Sequence, residues 1–191
     1  MRETILSPHA ASLSQSMRDI GYSLETAIAD LIDNSITAWA ENIHLFLEVN
    51  QPDDAYLAII DDGWGMTGDE LLEAMRLGAR SPREQRDAGD LGRFGLGLKT
   101  ASFSQCKALT VVSRRSGQCF AAQWDLDLVS LRNEWVVSIP SCDDIERLPY
   151  IEELGERGTY VLWQKLDRLL ESDVHDHGKT SAYDKLSEVE K

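Results

Sequence analysis

Between Ser23 and Trp39 the apolar residues Leu24, Ala27, Ile28, Leu31, Ile32, Ala38 and Trp39 fall at helical spacing and form one stripe. Thr26, Asp30, Asp33, Asn34 and Thr37 share the opposite side. Ser23 suits the N-cap and Glu25 the positive end of the helix dipole, so a helix is expected from Leu24 to about Glu41 or Asn42. On its polar face Asp30 and Asn34 stand four apart, a carboxylate one turn from an amide. A merely solvated face more often carries Lys and Glu there.

The rest of the pattern is shorter in period. Leu13 to Met17 predicts a short helix, broken from the main one by Gly21. Ile43 to Val49 and Ala55 to Ile60 are rich in strand formers and flank a Gln51–Asp54 turn, which makes a hairpin. The second strand runs into Asp61-Asp62-Gly63-Trp64-Gly65-Met66, where Gly-x-Gly permits a sharp turn and close approach by a ligand. Thr67 to Leu77 reads as a helix with Thr67 as N-cap. Residues 78–91 form a polar connector without periodicity carrying Arg80, Arg83 and Arg86, the length and character of a lid. Leu91 to Ser102 then sets three glycines before a helix-like segment. Strands are expected at Lys107–Arg114, Cys119–Asp125, Trp135–Ile139 and Thr159–Gln164, the first two joined through Ser116-Gly117. Residues 140–157 read as an acidic connection, Lys165 to Glu171 as a short helix, and 171–191 as a polar tail or linker.

Composition narrows the class. A chain of 191 residues with 42% hydrophobic residues supports one domain, or one domain plus an appendage. The net charge of −14 argues against charge-driven adhesion to DNA or anionic membranes, although backbone amides and a local cation still suffice for a phosphate. The apolar runs are too short to span a bilayer and the start lacks a signal-peptide core, so a cytoplasmic protein without membrane contact is expected. Cys106, Cys119 and Cys142 are odd in number and never in Cys-x-x-Cys, which reads as reduced core thiols. His175 and His177 lie in the polar tail and read as solvated.

The glycine run is an anion cradle at a helix N-terminus, but of which kind? A P-loop requires Lys directly after its last glycine, and Leu98 intervenes before Lys99-Thr100. The dinucleotide fingerprint fails as well: the spacing is Gly92-x-x-Gly95-x-Gly97 and no buried strand precedes it.

Taken in order, Asp30-x-x-x-Asn34, Asp61-x-Gly63-x-Gly65-Met66, the long connector and Gly92-x-x-Gly95-x-Gly97 resemble the N, G1 and G2 boxes of the GHKL superfamily. That superfamily holds the ATP-binding domains of gyrase, the heat-shock chaperones, histidine kinases and MutL. Gly158-Thr159 before an apolar strand fits its fourth element, and the likeness runs from about residue 11 to 170. Ala29–Ser35 and Gly95–Lys99 are most similar to Microrchidia (MORC)-type ATPases and their bacterial relatives. The resemblance implies an α/β two-layer Bergerat fold over residues 1–170, with an N-terminal segment at 1–22. Its sheet would be mixed and mostly antiparallel, with helices on one face and an ATP lid at 78–91. It also implies ATP and Mg²⁺ as ligands. Asn34 would ligate the metal and Asp61 would accept a hydrogen bond from the adenine amino group. Gly65 and Met66 would shape the base pocket, with Thr159 in support. The amides of Gly92, Arg93, Phe94, Gly95, Leu96, Gly97 and Leu98 would hold the phosphates, with Lys99 adding positive charge.

Asp30 falls where the superfamily's general base is generally Glu. Its arm is shorter by one methylene, roughly 1.5 Å, whereas a base must come within about 2.6–3.2 Å of its proton. Asp33, directly before Asn34, points about 100° away from it on the helix and does not replace Asp30. Two readings follow. One is an ATPase whose ATP binding closes the lid and pairs two protomers into a homodimer, with hydrolysis resetting them. Its turnover is expected to be slow in isolation, because the chain ends before the domain that supplies a lysine to the γ-phosphate in gyrase and MutL. The other is a nucleotide-binding switch with little hydrolysis. A histidine-kinase catalytic domain is a weaker alternative, since no phospho-acceptor helix precedes the fold. Any DNA or protein client would be held by regions outside this chain.

Overall fold

Leu57, Ile59 and Asp61 alternate with Ala58 and Ile60 along one strand, and all five are buried. A strand apolar on both sides must be covered on both. The computed structural model of the chain describes residues 3–4, 8–19, 22–49, 55–78 and 97–168, and it shows both covers. Six strands, β1 (Ile43–Glu48), β2 (Tyr56–Asp61), β3 (Ala108–Arg115), β4 (Gln118–Asp125), β5 (Val137–Ser138) and β6 (Gly158–Gln164), form one sheet in the order β1-β2-β6-β3-β4-β5. The expected sheet is mixed and mostly antiparallel; all five observed pairings are antiparallel. Ser116 and Gly117 both take positive φ (52° and 76°) at the β3–β4 turn, as a tight two-residue hairpin requires.

On one face lie α1 (Ala10–Arg18), α2 (Leu24–Thr37), α3 (Gly68–Met75), α4 (Gly97–Gln105) and α5 (Leu126–Arg132). Their apolar sides meet Leu57, Ile59, Leu109, Val111, Ala122, Trp124, Val161 and Trp163 in the main core. The other face, Ala58, Ile60, Val112, Ala121, Tyr160 and Leu162, is covered by Ile145 of α6 (Cys142–Glu146) and by Ile151 and Leu154 of a 3₁₀ turn. This is the Bergerat arrangement, with an added cover. The stretch 140–157, expected only as an acidic connection, keeps its carboxylates outward and contributes these three apolar residues.

Helix caps follow the sequence closely. Ser23 accepts from Thr26 N–H at the start of α2, and Thr67 with Glu70 forms a reciprocal capping box at α3. The end of α2 does not match expectation. It stops at Thr37 because Trp39 takes the left-handed conformation (φ 59°), with Trp39 N–H on the Ile36 carbonyl and Ala40 N–H on the Ser35 carbonyl, a Schellman closure. Trp39 therefore lies past the helix and is 76% exposed instead of joining the apolar stripe. Helix α5 was not expected, although Asp125 caps it and Leu126 and Val129 bury its inner side. Strand β5 is shorter than the five residues expected.

Cys106 is buried, but Cys119 and Cys142 are exposed, which corrects the expectation of three core thiols. Cys119 falls at the outer end of the β3–β4 hairpin and Cys142 is the first residue of α6. Helix α1 of the N-terminal segment packs within the domain. Arg18 Nε donates to the Phe103 carbonyl at 3.1 Å, and its guanidinium pairs with Asp167. The turn at 51–54, nearly all of the 78–91 lid, residues 169–171 of the expected 165–171 helix, and the 171–191 tail with His175 and His177 lie outside the described residues.

Candidate functional site

Asp61 ends β2 beneath α2 and is only 6% exposed. Its Oδ1 accepts from Gly63 N–H at 3.0 Å and Thr159 N–H at 3.2 Å, and its Oδ2 accepts from Ser35 Oγ at 2.8 Å. Burial raises its pKa, and the bonds from Ser35, Gly63 and Thr159 oppose that rise. The neighbouring Asp62 has the opposite environment. Half-buried, it accepts from the Asn42 amide and side chain and from Glu41 N–H, and its pKa falls to about 2. Asp62 secures the α2–β1 turn, while Asp61 is the carboxylate held in the interior.

The loop after Asp61 is fitted to backbone rather than left open. At Gly65 (φ 65°) a Cβ would lie 2.2 Å from the Arg114 carbonyl oxygen, and at Gly158 (φ 130°) 1.9 Å from that of Asp61. Gly65 is thus needed first for packing against β3. Met66 N–H donates to Ser113 Oγ at 2.7 Å, Ser113 donates on to the Gly158 carbonyl at 3.1 Å, and the Met66 side chain packs against the main core. Trp64 N–H binds the Ala38 carbonyl at 2.9 Å, which ties the loop to the end of α2. Its exposed ring carries the Arg157 guanidinium 5.4 Å above its centroid.

Helix α2 links the segments. Ser35 holds Asp61, Asn34 beside it is exposed, and Asp30, half-buried one turn earlier, reaches α4: its Oδ2 lies 3.6 Å from the position of a Cβ on Gly97. The carboxylate thus stands beside the first described residue of α4. Gly92, Arg93, Phe94, Gly95 and Leu96 lie outside the described residues. Leu98 packs against the main core. From Lys99 to Gln105 every residue of α4 is buried, and its polar side chains are matched: Trp163 Nε1 donates to Ser102 Oγ at 2.7 Å, for example.

Lys99 does not turn its charge toward that site. Its ammonium donates to the carbonyls of Ala74 at 2.6 Å and Arg76 at 2.9 Å, at the C-terminal end of α3. Burial lowers its pKa to about 8, with the charge of Glu73 opposing. Between about pH 8 and 10.5 the unfolded chain therefore holds this proton more tightly than the folded one, and stability rises with pH across that window. Below pH 8 the cost of the buried charge is fully present. Wild type should gain stability relative to Lys99→Met on going up through this range in urea melts, and a constant difference would contradict the assignment.

Ser35 and Ser113, which secure Asp61 and Met66, were not singled out from the sequence. The only local signal for Ser35 was its place directly after Asn34.

An antiparallel sheet with α2 and α4 on one face, a buried carboxylate at the end of β2 and a glycine-led helix facing Asp30 defines a nucleotide-binding ATPase domain of the Bergerat type. Residues 22–160 match the family described as "Histidine kinase-, DNA gyrase B-, and HSP90-like ATPase", and the chain belongs to it. It is 30% identical over 150 residues to ATPase morc-1 of Caenorhabditis elegans, an alignment covering 74% of this chain and 16% of that protein. It is 28% identical over 110 residues to the chaperone protein HtpG of Salinispora arenicola (strain CNS-205), covering 51% of this chain and 17% of that protein. The chain thus spans about a sixth of the length of each of these relatives. Among the described residues no helix is long and apolar enough to cross a membrane.

Proposed function

We propose that this domain binds ATP with Mg²⁺ and hydrolyses it slowly, with closure of the 78–91 lid and pairing into a homodimer when ATP is bound. The observation that carries this reading is that one helix joins the parts. Asp30 of α2 faces Gly97 of α4, Asn34 is open to solvent, and Ser35 secures Asp61. Asp61 Oδ1 already accepts from two protein amides, so Oδ2 keeps the free acceptor capacity for the adenine amino group. Thr159 acts through its backbone N–H, and Gly65 and Met66 shape the base pocket by fixing the loop. The amides of Gly92 to Leu98 take phosphate oxygens. Lys99 keeps its charge on α3.

The donor set fits magnesium. An exposed amide oxygen one turn from a carboxylate is the hard-oxygen chemistry this ion uses, and it retains waters and phosphate oxygens for its other positions. Asn34 would hold the ion, which supplies neutralisation of phosphate charge when bound. In the reaction a water oxygen attacks the γ-phosphorus, its proton passes to the Asp30 carboxylate, and the bond from phosphorus to the β–γ bridging oxygen breaks, leaving ADP and phosphate.

Removing a general base typically costs about 10²–10⁴ in rate. Asp30→Asn in the full-length protein should therefore lower turnover by about 100-fold or more while leaving the affinity for a non-hydrolysable ATP analogue unchanged. The shorter arm of Asp30 favours the switch as the second reading, and equal background turnover in both proteins with binding intact would establish it. The relatives are an ATPase and a chaperone by name. We further propose a cytoplasmic location, with selection of any DNA or protein client lying outside these 191 residues.

A further inference from the structure

We propose that β1 is a docking edge for a second copy of this chain, the two β1 strands pairing antiparallel about Phe46 without nucleotide. The ATP reading is not needed for this. Strand β1 ends the sheet order, and among the described residues its only partner strand is β2. Each of its six residues opposes one residue of β2, from Ile43 with Asp61 to Glu48 with Tyr56, so no bulge turns the edge aside. Half of the backbone N–H and C=O groups of such a strand point away from its neighbour, ready for another strand. Natural sheets blunt an edge by shortening it or by placing Lys or Pro on it. The opposite edge is short, since β5 has two residues. Ile43–Glu48 is long and holds no Lys, Arg or Pro.

The side chains of β1 complement themselves. A two-fold axis at Phe46 sets Phe46 against the partner's Phe46, Leu45 against the partner's Leu47 and His44 against the partner's Glu48. His44 is exposed and carries an N–H donor in either charge state. A carboxylate has about four acceptor positions, so Glu48 can take that bond beside any other it makes. Symmetry makes the pair twice. On the helix side of the sheet, Leu45 is 39% exposed while Ile43 and Leu47 pack against the main core, and the partner strand would cover it. On the other side the Phe46 ring stacks on Tyr150, with centroids 4.1 Å apart and planes 10° from parallel. Tyr150 takes a left-handed φ of 56°, rare for an aromatic residue, so the ring at the axis is held firmly. Opposed side chains lie about 4.5–5.5 Å apart at Cβ, close enough for the two Phe46 rings to meet. Moving the axis one residue either way loses the match of His44 with Glu48.

Sedimentation equilibrium of the wild-type chain without nucleotide should show monomer and dimer in exchange. Hydrogen exchange should show β1 amides slowed above the midpoint concentration and not below it. His44→Glu sets carboxylate against carboxylate twice and should raise the dimer dissociation constant about tenfold or more, with the melting temperature of the monomer unchanged. Adding Glu48→Lys to His44→Glu exchanges the two charges and should bring the dissociation constant back toward wild type. A chain that stays monomeric, or a dimer whose β1 amides exchange as fast as the monomer's, overturns the proposal. So does slow β1 exchange at every concentration, which would mean that the chain covers its own edge. A dimer that forms only with a magnesium–ATP analogue and ignores His44→Glu also overturns it, and leaves the ATP-driven pairing standing.

Discussion

Asp61→Asn is expected to fold and to lose nucleotide. Oδ1 is the only position that receives two backbone N–H donors, from Gly63 and Thr159, so the asparagine must put its oxygen there and its NH₂ in place of Oδ2. At that position Ser35 can rotate its hydroxyl from donor to acceptor, which keeps the buried contact satisfied. The adenine amino group has no such freedom, and donor would face donor. A hydrogen bond to a charged acceptor contributes about 1.5–3 kcal/mol, so affinity for a non-hydrolysable ATP analogue should fall by about 10- to 150-fold. Isothermal titration with magnesium present measures it, alongside a melt to show that the variant is folded. Affinity equal to wild type in a folded variant would remove Asp61 from the purine site.

The largest expected loss of stability is at Gly158→Ala. The Cβ would sit 1.9 Å from the Asp61 carbonyl oxygen and 2.9 Å from its carbon, at φ 130°, with Gly158 itself paired to Arg114 in the sheet. Neither backbone has freedom to retreat, and the clash lies directly under the carboxylate that organises the site. A loss of about 4 kcal/mol or more, or no cooperative transition at all, is expected in urea melts. Gly117→Ala is the control. It too has positive φ (76°) but nothing within 4 Å, so only the left-handed strain of about 1–2 kcal/mol applies. Equal effects at the two positions would show that strand closure at Gly158 is not the constraint.

What could be read from the sequence follows from how local each determinant is. The polar pair Asp30 and Asn34, the Ser23 and Thr67 caps and the β2 strand rest on neighbours within a turn or a pleat, and short-range pattern carries them. The order of the three motifs then pointed to one fold. The partners of Asp61 and Met66 are a different matter. Ser35 is 26 residues from Asp61 and Ser113 is 47 from Met66, and nothing in a serine's surroundings announces such a bond. Lys99 failed as an expected phosphate charge for a related reason. Its place after a glycine run suggests an anion, whereas its position in a helix buried on every side sends the ammonium to the carbonyls ending α3. Trp39 extended an apolar stripe on paper, but the left-handed turn at its own φ ended the helix first. The cover on the second sheet face escaped notice because Ile145, Ile151 and Leu154 are scattered among carboxylates, at no single period.

All of this comes together in whether one nucleotide spans α2, the Asp61 loop and the start of α4. A crystal structure with magnesium and a non-hydrolysable ATP analogue asks that directly. The account predicts the adenine amino group on Asp61 Oδ2, the metal on the Asn34 amide oxygen and the γ-phosphate beside Asp30 and Gly97. A nucleotide seated elsewhere, or seated here with Asn34 turned away from the metal, would contradict it.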